Sequence, residues 1–139
     1  MIVLDTNVIS ALMRPVENPN VVEWLDRQEA TDVWTTSVSI YEIRFGLLRL
    51  NAGRRRTDLT TLFETFIDKL LPGKVLPFDR QAAEIAATDS VVLRARGRTI
   101  SIPDAQIGAI ARSQGATLAT RNVKDFEDLE ISLINPWKN

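Results

Sequence analysis

Ile2-Val3-Leu4-Asp5-Thr6-Asn7 opens the chain with three apolar residues that stop abruptly at a carboxylate, a hydroxyl and an amide. A short run that is apolar on both faces, without alternation, is the pattern of a strand buried in a parallel sheet. The polar triplet then falls where the strand ends, and any of its three side chains can cap a helix running from Val8 to about Met13. In open α/β sheets, ligands bind beyond the carboxyl ends of the strands. The hexapeptide thus suggests the fold class and marks where chemistry would sit.

Outward from this start, strands and helices alternate. Pro15 and Asn18-Pro19-Asn20 break the first helix, and Val21, Val22, Trp24 and Leu25 suit a second. Val33-Trp34-Thr35-Thr36 is β-branched and aromatic and predicts strand two. Ile40, Ile43, Leu47 and Leu50 recur at helical spacing, residues 51–56 form a turn, and a strong amphipathic helix from Leu59 to Leu71 stops at Pro72-Gly73. Val75 to Phe78 is a short strand, and Ala82 to Ala95 a helix. Pro103 stands at the first turn of a helix that runs to Gln114, with Gly115 as its stop. Thr117 to Thr120 and Ile131 to Ile134 are the last two strands. With no repeat and no linker, this order predicts one α/β domain over residues 1–139, built on a mainly parallel sheet of roughly five strands.

The composition narrows the chemistry. Among 139 residues there is no histidine and no cysteine. That removes the commonest acid–base group, the thiol nucleophile and the soft metal ligands together. A metal site here must be made of oxygen, which selects Mg²⁺ or Mn²⁺ over Zn²⁺. The net charge of -1, from 17 basic and 18 acidic residues, does not announce a nucleic-acid binder, so any such role needs local patches. Arg54-Arg55-Arg56 and the trio Arg94, Arg96 and Arg98 are the densest, although each also suits a solvated helix end or loop. Trp24, Trp34 and Trp137 suit core or interface positions. Nothing at the N-terminus has the form of a signal peptide, and no run approaches the roughly 20 apolar residues of a membrane span. The expected location is the cytoplasm.

Four acids fall at strand ends or helix starts: Asp5 after strand one, Glu42 early in the helix after strand two, Asp104 at the head of the helix before strand four, and Asp125 after that strand. Each has a structural explanation. Asp5 can cap its helix, Ser39-Ile40-Tyr41-Glu42 has the form of a capping box, Asp104 suits the first turn of a helix, and Asp125 suits a turn. Their recurrence at one sheet edge is what points to a cation, because crowded carboxylates repel unless one lies between them.

The ordered set Ile2-Val3-Leu4-Asp5-Thr6-Asn7, Ser37-x-x-x-x-Glu42, Pro103-Asp104-Ala105-x-Ile107-x-Ala109 and Leu118-Ala119-Thr120-Arg121-Asn122-x-x-Asp125-Phe126 resembles the PIN-domain family, and within it the VapC-type ribonuclease toxins. The closing Asn135-Pro136-Trp137 is similar to the FitB-like and plasmid-stability branch. The resemblance implies a PIN-like α/β/α sandwich, commonly a homodimer, and Mg²⁺-dependent cleavage of RNA, with Mn²⁺ as a substitute ion. It implies that Asp5 and Asp104 are the main metal ligands and Glu42 the third acid. The fourth acid lies at either of two nearby positions in the family; here one is Asn122 and the other Asp125, and Asp125 is the better ligand. Thr6, Asn7 and Thr120 match supporting polar positions, and Arg121 stands where it can meet a phosphate. The resemblance also implies a cognate antitoxin protein that inserts a basic side chain among the acids and contacts DNA on the toxin's behalf. Val21, Leu48 and Phe63 are apolar positions that could serve a dimer or that antitoxin. Two other readings stay open: a DNA nuclease of the same fold, and a catalytically inert metal- or partner-binding module. An aspartyl phosphatase fits less well, since Asn7 occupies the place of its second acid.

Overall fold

A computed structural model describes residues 1–138 of the chain. The elements are β1 (Ile2–Leu4), α1 (Thr6–Leu12), α2 (Pro19–Asp26), a 3₁₀ turn (Ala30–Asp32), β2 (Val33–Thr36), α3 (Ser37–Arg49), α4 (Arg54–Leu70), β3 (Val75–Leu76), α5 (Arg80–Ala95), α6 (Ile102–Ser113), β4 (Thr117–Ala119), α7 (Val123–Phe126) and β5 (Ser132–Ile134). The five strands lie in the order β3-β2-β1-β4-β5, and every pairing is parallel. Each strand is two to four residues long, so only the pairing of all five makes a stable ladder.

Side-chain alternation sorts the sheet into two faces. Val3 and Leu118 point into one cluster, with Leu76 and residues of α5 and α6 such as Ala82, Ala86, Ile107 and Ile110. Leu4, Val33 and Ala119 point into the other, with Val8 and Ile9 of α1, Val21 and Trp24 of α2, Ile43 and Leu47 of α3, and Phe63 of α4. The sheet is therefore the middle layer of an α/β/α sandwich. The small side chains of α6 (Ala105, Ala109, Ala111) let that helix lie close to the sheet and to α5.

Three details differ from the sequence reading. Val21 and Phe63 are core residues, Phe63 only 1% exposed, so of the three apolar positions left for a partner only Leu48, at 58%, is on the surface. Burying Phe63 is what holds α4 to the body, a contribution of about 2–3 kcal/mol. The helix α4 begins at Arg54 rather than near Leu59, because Thr57 bonds Gly53 O through both its amide and its hydroxyl and so closes a first turn. The short α7 was not foreseen; four residues are too few for a periodic signal.

Parallel topology also fixes where helix ends fall. The helices α1, α3 and α7 leave from the carboxyl edge of β1, β2 and β4. The helix α6 runs back antiparallel to β4, so its N-terminus lies at that same edge. Its far end is closed by Gly115 in the left-handed region (φ 61°), with Gly115 N–H donating to Arg112 O and Ala116 N–H to Ala111 O. That turn feeds directly into β4. The chain places β2 and β3 on one side of β1 and β4 and β5 on the other, so the sheet has its switch point at β1 and β4. The crevice there is the expected ligand position.

Candidate metal centre

Asp5 sits in this crevice and is 3% exposed. Its backbone N–H donates to Ala119 O (2.9 Å), which carries the β1–β4 ladder one residue past the strand. Its side chain is fixed from three directions. Oδ1 accepts from Thr6 N–H at 2.8 Å, as a helix cap. Oδ2 accepts from the Thr120 hydroxyl at 2.7 Å and from Asn7 Nδ2 at 3.1 Å. The capping reading of Asp5 is thus correct as far as one oxygen goes, and the second oxygen is committed to the β1–β4 crevice.

Asn7 and Thr120 brace each other. Thr120 Oγ1 accepts from Asn122 N–H (3.0 Å), and Asn7 Oδ1 accepts from Arg121 N–H (3.3 Å). The segment after β4 is therefore pinned to the segment after β1. Asn122 is exposed and its side chain does not cap α7; Asp125 lies in the first turn of that helix and is exposed.

Glu42 is reached through Thr6. The Thr6 hydroxyl donates to Glu42 Oε1 at 2.7 Å, and Thr6 Oγ1 lies 2.9 Å from Ser39 Oγ. The hydroxyl has one proton and Glu42 can only accept it, so Ser39 supplies the other bond. The capping-box reading of Ser39 and Glu42 does not hold. The true cap of α3 is Thr36, whose Oγ1 accepts from Ser39 N–H at 3.0 Å, and this leaves Glu42 free to face Thr6. Ser39 is fully buried, and the spacing that made it look like a cap, one helical turn before Glu42, instead sets it beside Thr6 and Glu42.

Asp104 stands in the first turn of α6, where Ser101 Oγ caps Asp104 N–H at 3.2 Å. Placing Asp125 beside it depends on Gly108. A Cβ at Gly108 would lie 2.6 Å from Leu129 Cδ1 and 3.6 Å from a ring carbon of Phe126. The bare backbone lets α7 and the turn after it settle on α6.

The electrostatics bind the four acids into one group. Burial pushes the Asp5 carboxyl up to about 6, against the hydrogen bonds from Thr120 and Thr6; the charges of Asp104 and Glu42 push it further the same way. Asp104 is also raised, first by burial and then by the charges of Asp125 and Glu42, with Ser101 pulling down. Among the described residues no lysine or arginine forms a salt bridge with any of the four. Nor do three of them make a ready-formed cage for one ion. The donor set nonetheless fits a hard dication, which keeps most of its water and takes one or two carboxylates from protein. Asp5 and Asp104 are the pair with burial and mutual repulsion to relieve.

Arg121 is exposed and stacks its guanidinium on the Trp137 ring, 5.1 Å from the centroid. Together with Asn122, Lys124, Asp125 and Lys138 it lines a cleft of about 540 Å³. Of the other basic runs, Arg98 is tied to Asp128 at 2.7 Å. No helix of the described residues is long and apolar enough to cross a membrane.

Comparison with known proteins agrees with this fold. The PIN domain family model matches residues 2–131. The chain is 36% identical over 137 residues to the toxin FitB of Neisseria gonorrhoeae, covering 99% of each. It is 37% identical over 138 residues to the VapC ribonuclease Y4jK of Sinorhizobium fredii, again covering 99% of each. Among solved structures, FitAB bound to a DNA fragment matches with a TM-score of 0.91 and 36% identity, covering 100% of this chain and 97% of that one. With its all-parallel five-stranded sheet and acids at the switch point, the chain belongs to the PIN-domain family, among its VapC and FitB relatives.

Proposed function

We propose that this chain is a divalent-metal-dependent endoribonuclease that acts as the toxin of a type II toxin–antitoxin pair. The observation that carries the reading is the meeting of Asp5, Glu42 and Asp104, with Asp125 acting on Asp104, at one crevice where no lysine or arginine among the described residues forms a salt bridge with them. The kinship with a protein named VapC ribonuclease and with one named toxin supports the substrate class and the role.

When bound, Mg²⁺ or Mn²⁺ supplies the positive charge and Lewis acidity that phosphodiester hydrolysis requires. The chain's own residues do the rest. Asp5 and Asp104 would hold the ion. Glu42, aimed by Thr6 and Ser39, and Asp125 would hold the ion's waters or orient the attacking one. Thr120 and Asn7 keep the Asp5 carboxylate in one orientation, so that little reorganisation accompanies reaction. Arg121 would meet a phosphate of the substrate, and Asn122 would serve as a neutral ligand or substrate contact.

The same unneutralised acids would accept a basic side chain from an antitoxin. FitAB, a complex to which the chain is 36% identical, is solved bound to a DNA fragment, which supports indirect DNA contact through such a partner; a homodimeric toxin is proposed with it. Tyr41, Phe45, Leu48 and Leu62 present an exposed apolar surface on α3 and α4 for such assembly.

The test is cleavage of matched single-stranded RNA and DNA by the purified chain, with Mg²⁺, with Mn²⁺ and with chelator. RNA cleavage that requires metal and fails in Asp104→Asn is expected. Cleavage of DNA alone would move the reading to a DNA nuclease; absence of both cleavage and metal binding would leave an inert binding module.

A further inference from the structure

Beside the acids lies a groove of which the proposed chemistry uses only Thr6 and Glu42. It has a volume of about 270 Å³ and is lined also by Arg14 and Arg55 and by apolar residues that include Met13 and Leu50. Arg14 follows α1 and Arg55 lies in the first turn of α4, so two distant stretches each bring an arginine to the same groove. Among the described residues neither arginine forms a salt bridge, whereas Arg27, Arg44, Arg98 and Arg112 all do.

Arg14 is also a wall of two adjoining clefts. One contains Asn7, Arg121 and Trp137, with Glu17. The other contains Arg54 and Arg55, with Glu17 and Asp58. Arg14 thus shares one cleft with Arg121 and two with Arg55. A protein of net charge -1 that gathers four acids at one place repels a polyanion, and can bind it only through local cations of this kind.

We infer that this groove is a nucleotide subsite, in which Arg14 and Arg55 grip an RNA phosphate flanking the scissile one. The inference rests on the ribonuclease reading and names substrate contacts that it did not include. A groove near the ~300 Å³ lower end of ordinary ligand pockets is large enough for one nucleotide unit. Its apolar walls suit a base or ribose face, and Arg14 and Arg55 are both exposed, as contacts to a solvated phosphate must be. Each guanidinium contact adds a sequence-independent, salt-sensitive share of the binding.

The experiment is steady-state cleavage of a labelled single-stranded RNA in Mg²⁺ by the full chain and by Arg14→Gln, Arg55→Gln and the double variant, over a series of salt concentrations. Both residues are exposed, so the variants should fold, as checked by thermal unfolding. Each is expected to raise KM about tenfold with kcat within about twofold, and to flatten the salt dependence of log kcat/KM by about 0.7 per arginine, the value for one lost single-strand phosphate contact. Arg14→Lys should recover part of the loss. Arg56→Gln, on the same basic run but outside this groove, should match wild type. Unchanged KM and salt slope in the double variant would overturn the inference, as would loss of antitoxin co-purification in Arg14→Gln with KM intact, which would assign the groove to a protein. A wild-type chain that cleaves no RNA at all is a separate result; it would refute the ribonuclease reading and this inference with it.

Discussion

Asp5 and Asp89 are both acids drawn into the interior, and the fold treats them in opposite ways. Asp89, on α5, is paired with Arg112 of α6 at 2.9 Å, and the same guanidinium reaches Glu130 at 3.2 Å. One positive charge, supplied from within, closes that network. Asp5 receives a hydroxyl, an amide and a backbone N–H, but its charged neighbours are other carboxylates. A cluster that stabilises the fold carries its own counter-ion. A cluster that lacks one is poised for a cation from outside.

The largest effect should appear when the open cluster is broken. Asp5→Asn or Asp104→Asn should lower RNA cleavage at least about a thousandfold, the scale of removing a preorganised electrostatic group, without unfolding the protein. Single-turnover assays at saturating Mg²⁺ would check this. Asp89→Asn should leave the rate near wild type.

Stability should follow pH with the sign that an uncompensated acid dictates. The folded Asp5 carboxyl is raised from 3.8 to about 6, so the folded state holds the proton more tightly than the unfolded chain does. Its stabilising share is complete below about pH 4 and is lost as pH rises through 6. The metal-free protein should therefore lose up to about 3 kcal/mol over that window, a loss absent in Asp5→Asn. Urea unfolding at fixed ionic strength measures it, and Mg²⁺ at pH 7–8 should restore part of the loss.

The paired acid predicts no dependence on metal. Arg112→Met strands Asp89, whose Oδ2 already has no hydrogen-bond partner among the described residues, and should cost about 2 kcal/mol whether or not Mg²⁺ is present. Metal-dependent stability changes in that variant would undo the contrast. The smallest effect is expected at Gly108→Ala. Leu129 must rotate away from the new methyl, at about 1–2 kcal/mol, and Asp125 should shift with it, lowering cleavage more than stability alone explains.

The sheet and its order of elements were readable because short apolar runs and helical periods are local signals. Ile2-Val3-Leu4 sufficed to read β1 as a buried strand of a parallel sheet; its place at the centre came from the strand order. The site was readable only as a list of acids at element ends. That Asp5, Glu42 and Asp104 share a crevice follows from strand order, which no local pattern states. Glu42 was misassigned to a capping box because Ser-x-x-Glu looks the same whether the helix starts at Ser39 or two residues earlier. Phe63 and Val21 were misplaced for a related reason: an apolar residue on an amphipathic helix does not reveal which side of it the rest of the protein covers. Arg14 carried no motif, and emerged only from the clefts that it lines.

The bond from Thr120 to Asp5 joins positions 115 residues apart. During synthesis the first residues leave the ribosome long before the last strands are made. A nascent chain therefore cannot carry the finished crevice until the segment through Thr120 has emerged. A cell making this protein is spared a working blade on every copy that has not reached that point.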